Sequence, residues 1–97
     1  MKEELRKIHT IAKEKGLKIL IFFKDSKYLL YINSLIKAED KNFNPIIWTM
    51  AFGRKAPHEV ISALKIEKIE VELRSKELMT FYKWEDFVRW VFEILKS

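Results

Sequence analysis

The chain has no cysteine and no glutamine, only three asparagines, two glycines and two prolines. Without cysteine there can be no disulfide scaffold and no thiolate metal site. With glycine only at positions 16 and 53, no glycine-rich phosphate loop or dinucleotide fingerprint can be formed. No apolar run approaches the roughly 18 residues of a membrane span. The opening residues MKEELRK carry acids where a cleaved signal peptide would carry an apolar segment, so an intracellular, cytoplasmic protein without a membrane role is expected. The shortage of thermolabile side chains beside abundant Lys and Glu is the pattern of proteins from hyperthermophiles. It predicts an archaeal source, or a virus or plasmid of such a host.

What is present is 97 residues, 48% hydrophobic and 34% charged. That is enough apolar surface for one core and too little length for two, so a single domain over residues 1–97 is expected and disorder is excluded. The organising stretch is Leu17 to Asn33, LKILIFFKDSKYLLYIN. Ile19, Ile21 and Phe23 alternate with Leu20 and Phe22, so both faces of a first strand are apolar, as in a strand covered on both sides. Tyr28 to Ile32 repeats the composition, and Asp25-Ser26 between them are turn residues whose side chains hydrogen-bond nearby backbone. The pair reads as a hairpin needing a layer above and a layer below.

Residues 2–15 form an amphipathic helix with Leu5, Ile8, Ile11 and Ala12 on one face, acids in the first turn and Gly16 as its stop. Ser34 to Pro45 is polar and reads as the end of the second strand followed by a long loop; Ile46 to Phe52 reads as a third buried strand. Pro57 to about Leu64 suits a short helix with Val60, Ile61 and Leu64 inward. Lys68 to Arg74 alternates as a half-buried edge strand. Glu77 to Tyr82 fits either a strand or an early start of the last helix, Trp84 to Lys96. The fold predicted is α+β, in the order α-β-β-β-α-β-α, with a mainly antiparallel sheet covered by the N- and C-terminal helices. The helix–three strands–helix order resembles the double-stranded-RNA-binding domain, but the lysine-rich start of that family's last helix is missing apart from Arg54-Lys55.

Net charge is +5, and it is unevenly spread. Residues 1–30 carry eight Lys/Arg against four acids, residues 31–60 four against three, and residues 61–97 seven against seven. At helical spacing Lys2, Arg6, His9 and Lys13 form one stripe, and Lys24 and Lys27 flank the hairpin turn. This is the candidate phosphate-binding surface. His58, close after Arg54 and Lys55, can contribute to an anion pocket. Asp25 with Glu39-Asp40-Lys41 resembles the carboxylates and Glu-x-Lys of metal-dependent nucleases, where Glu-x-Lys lies on a buried core strand. Here the Glu-x-Lys falls in the polar loop, so an enzyme ranks third. The last helix adds Trp90 and Phe92 to a stripe already wide enough, which predicts a homodimer through those two residues.

The preferred function is non-catalytic, sequence-independent nucleic-acid binding by a homodimer. A protein-interaction module for a host or structural partner is the alternative. No cofactor, metal site or small-molecule substrate is identified. The composition predicts a calorimetric melting midpoint above about 80 °C; a midpoint near about 55 °C, ordinary for mesophile domains, would remove the hyperthermophile reading.

Overall fold

A computed structural model describes residues 1–96. Helix α1 (Lys2–Lys15) leads into the strands β1 (Lys18–Phe23), β2 (Tyr28–Ile32), β3 (Ile36–Asp40) and β4 (Pro45–Ile46). Two short helices follow, α2 (Trp48–Phe52) and α3 (Pro57–Ala63), then β5 (Ile66–Glu72), β6 (Leu78–Phe81) and α4 (Trp84–Lys96). The α+β class and the expected order are observed, with short β4, α2 and β6 as additions. All strands join one antiparallel sheet in the order β4-β3-β2-β1-β5-β6.

Gly16 ends α1 in the left-handed region (φ 69°), and its N–H donates to the Ala12 carbonyl. The left-handed conformation is what favours glycine; a Cβ there would also stand 2.8 Å from the Arg74 Nε, a contact that the flexible arginine side chain can relieve by moving. The guanidinium thereby sits where the helix dipole is negative. The β1–β2 turn is built as its residues suggest, with Asp25 at φ 61° and the Tyr28 N–H donating to Ser26 Oγ (3.1 Å).

One sheet face carries the core. Ile19, Ile21 and Phe23 of β1, Leu30 and Ile32 of β2, Ala38 of β3, and Ile69 and Val71 of β5 are buried in a single cluster. The same cluster takes Leu5, Ile8, Ile11 and Ala12 from α1, Phe52 from α2, Val60 and Ile61 from α3, and Phe87 and Val91 from α4. All four helices therefore cover one face. The expectation of a layer on both sides is corrected: Leu20, Phe22 and Tyr31, half-buried, and Leu29, fully buried among its neighbours, point to a face to which no helix contributes a core residue.

Two segments differ from their sequence reading. The polar stretch holds β3, paired residue for residue with β2 from Tyr28↔Asp40 to Ile32↔Ile36. The apolar stretch after it is mostly helix: the N–H groups of Met50 and Ala51 donate to the Ile47 carbonyl, Trp48 meets Phe52 edge-on (5.0 Å between ring centres), and Phe52 meets Phe23 edge-on (6.0 Å). An apolar run this short has no periodicity that separates strand from helix, and tertiary contacts decide it. β5 lies inside the sheet, between β1 and β6; the edge is β6, which settles residues 78–81 as strand.

The β3–β4 turn is held by Asp40, whose carboxylate accepts the Asn44 N–H (3.0 Å) and the Asn42 N–H (2.8 Å). These bonds, that of Asn44 foremost, hold the carboxyl below its ordinary range. A depressed folded value stabilises the turn above the unfolded value and loses that contribution as pH falls through the folded one. The Asn42 and Asn44 amide proton shifts should accordingly titrate with a midpoint below the usual Asp value of about 3.9, and Asp40→Ala should abolish the transition.

The unequal cover of Ile21 and Leu20 makes a further prediction. Ile21→Ala, beneath the helices, should cost about 2–5 kcal/mol in denaturant unfolding, whereas Leu20→Ala, half-buried on the open face, should cost less than half as much. Equal losses would mean that both faces are packed alike.

Candidate nucleic-acid interface

The 3.6-residue period that buries Leu5 and Ile8 leaves Lys2, Arg6 and His9 along one flank of α1. That flank faces the start of β3 and the start of α3, and the three elements enclose a cleft of ≈ 240 Å³. Leu5, Ile36 and Pro57 supply its apolar lining; Lys2, Glu3, Arg6, His9 and His58 supply its polar groups. The volume lies below the ≈ 300–1,000 Å³ typical of small-molecule sites, so the cleft can seat a group the size of a phosphate but not enclose a cofactor.

Within the cleft the charges are not all free. Arg6 forms a two-pronged contact with Glu3, Nη2 to Oε2 at 2.7 Å and Nε to Oε1 at 3.1 Å. The hydrogen bond and the opposite charge lower the Glu3 carboxyl and raise the Arg6 guanidinium from their ordinary values. Lys2 has no ion pair among the described residues. His9 places Nε2 3.2 Å from the Ser34 carbonyl. A carbonyl only accepts, so Nε2 bears the hydrogen and Nδ1 is left for another partner. The convergence of His58 with His9 is invisible in the sequence, since it depends on how α3 lies against α1. The Glu3–Arg6 contact has a sequence signal, the i,i+3 spacing of opposite charges on a helix.

The remaining predicted cations lie elsewhere. Lys13 is exposed toward the C-terminal end of α1, outside the cleft, and Lys24 and Lys27 stand exposed at the β1–β2 turn. There the Lys24 N–H donates to the Lys65 carbonyl (2.8 Å), which brings a further lysine to that end of the sheet. Lys13, Lys24 and Lys27 also form no ion pair among the described residues.

The open sheet face is different in kind. Its three lysines each have a carboxylate: Lys18 with Glu72 (3.8 Å), Lys37 with Glu39 (3.4 Å) and Lys68 with Glu70 (3.7 Å). Glu39, 5% exposed, is the buried charged residue of the set. It therefore lies on a strand, which corrects its loop placement, but its carboxylate is taken up by Lys37 and that of Asp40 by the turn. Among the described residues no three His, Asp or Glu side chains converge as a metal site.

Trp90 and Phe92 are half-buried and pack against the protein's own core; Trp90 lies 5.4 Å from Phe81, ring to ring. No helix of the described residues is long and apolar enough to cross a membrane. Compared with known proteins, the chain matches no family model, no curated protein and no solved structure, which leaves the geometry of its own side chains as the ground for a functional reading.

Proposed function

We propose that the protein binds nucleic acid through the phosphate backbone, without sequence preference, using the exposed flank of α1 and the β1–β2 turn. The observation that carries this reading is the division of charge between surfaces. Every lysine of the open sheet face has a carboxylate within 4 Å, whereas Lys2, Lys13, Lys24 and Lys27 have none among the described residues. Surplus positive charge set apart from the charge-balanced face is the footprint of a polyanion partner. The 14-residue α1 is long enough to follow several phosphates, at about 1.5 Å per residue.

Lys2, Lys13, Lys24 and Lys27 together neutralise about four phosphates, so log affinity for duplex DNA should fall against log salt with a slope of about −3.6. Replacing Lys2 and Lys13 by Gln should flatten the slope by about 1.8 and weaken all sequences alike. Glu3→Gln should strengthen binding, because it releases Arg6 from its present partner. Absence of binding at about 50 mM salt, or a double variant that binds as wild type, would replace this reading with the interaction module. That alternative draws on Ile47, the residue that precedes α2, and Met50 within it, 68% and 64% exposed, and would show as stoichiometric capture of one protein insensitive to nuclease.

A further inference from the structure

We infer that the helix-free face of the sheet is a docking surface for a second copy of the chain, placed back to back across a two-fold axis. The pattern of the face carries this. In the strand order β4-β3-β2-β1-β5-β6 the centre falls between β2 and β1, where half-buried Tyr31, Leu20 and Phe22 reach the surface of this face and Leu29 lies fully covered among them. On either side stand charged columns, Lys37 and Glu39 on β3, and Lys68, Glu70 and Glu72 on β5. An apolar centre with a polar rim is the anatomy of a protein interface.

The occupant follows from symmetry and charge. A two-fold axis running along the strands over the β1–β2 boundary lays β1 of one copy on β2 of the other, and β3 on β5. Apolar residues then meet apolar residues, and each charged column, holding both signs, meets another that holds both signs. The three lysines and three glutamates of the face cancel, so a partner of one charge sign gains nothing from it. Strand addition is disfavoured, because the edge strands have only two and four residues.

The lysine stems give the monomer partial cover, with Lys37 Nζ 4.7 Å from the Tyr31 ring centre and Lys68 Nζ 4.9 Å from that of Phe22. Beyond them Phe43 and Leu78 remain 55% and 73% exposed, and both line a cavity of ≈ 140 Å³ with Leu20 beneath. At usual strand spacings the six strands present roughly 500 Å² per copy, so a dimer would bury about 1,000 Å² in total, the lower end for specific interfaces. Association is therefore expected to be reversible and to need high protein concentration. With all helices on the other face, such a dimer turns its two helical layers outward; if the phosphate-binding reading holds, it grips two nucleic-acid segments instead of one twice.

Sedimentation without nucleic acid tests the dimer apart from that reading. At roughly 100 µM, wild type should have twice the mass of 11.7 kDa and should dissociate on dilution. Phe43→Asn with Leu78→Glu, both on exposed side chains and with Asn suited to the φ of 64° at position 43, should remain monomeric with an unchanged circular dichroism spectrum. Leu95→Glu on α4 should leave the dimer intact. In wild type, acetylation of Lys18, Lys37 and Lys68 should slow as concentration rises, while that of Lys2 and Lys13 should not. A wild-type monomer at that concentration would overturn the inference, the lysine stems then being cover enough. So would a dimer broken by Leu95→Glu and not by the face variant, or protection of Lys2 and Lys13 in place of the three face lysines.

Discussion

β1 is hydrogen-bonded on both sides, to β2 and to β5, and its register sets what every other strand residue faces. Ile19 stands between Ile32 and Val71, Ile21 between Leu30 and Ile69, and these six residues form the floor under the helices. A slip of one residue would send Lys68 and Glu70 beneath the helices and Ile69 outward, and burying charges without their partners costs several kcal/mol. The apolar residues of β1, greasy on both faces, cannot choose a side by themselves. Its charged neighbour β5 chooses for it. Near the end of the pairing the register shifts, with Phe22 opposite Lys68 and Phe23 opposite Ile66, so Glu67 is the extra residue. The bulge lets Ile66 turn toward the core although it shares the parity of Lys68.

The elements with a strong period were legible before any coordinates. α1, its inward face, its glycine stop and the β1–β2 hairpin follow from spacing and turn chemistry, which act within a few residues. β3 was not legible, because Ile36 to Asp40 has the composition of a loop and becomes a strand only by pairing with β2. The stretch after it failed in the opposite sense. Ile46 to Phe52 has strand composition, yet Phe52 is the one residue of α2 that is buried, and its contact with Phe23 is long-range. The covering of the sheet was misjudged for a related reason: half-buried Leu20 and Phe22 look like core in one dimension, and only cross-strand partners such as Glu70 and Lys68 show that they do not face it.

The candidate site divides in the same way. The basic stripe is a local property of a helix and was visible. What it faces is not local, so the cleft with Ile36, Pro57 and His58 had no signal beyond the isolated histidines themselves. The neutrality of the sheet face was equally hidden, since Lys18 meets Glu72 only through the β1–β5 register. Composition counted nineteen cations. Topology decides which of them have been spent on carboxylates.

The first turn of α1 carries two opposed demands. Acids there favour the helix, through the dipole and, for Glu4, through the Trp84 Nε1–H that it accepts at 2.7 Å from the start of α4. Glu4 thus joins the two terminal helices. Glu3 makes no such long-range bond among the described contacts; it holds only Arg6, in a largely exposed pair. Exposed pairs are weak and screened by salt, so an incoming phosphate that can take the same guanidinium fork competes with Glu3 on favourable terms. Arg6 is thereby a ligand available on exchange, while Lys2 is available at once. A surface that grips a backbone while resisting stray anions needs that distinction: a single small anion must displace Glu3 alone, whereas a polyanion already held by Lys2 and Lys13 presents its next phosphate at high effective concentration.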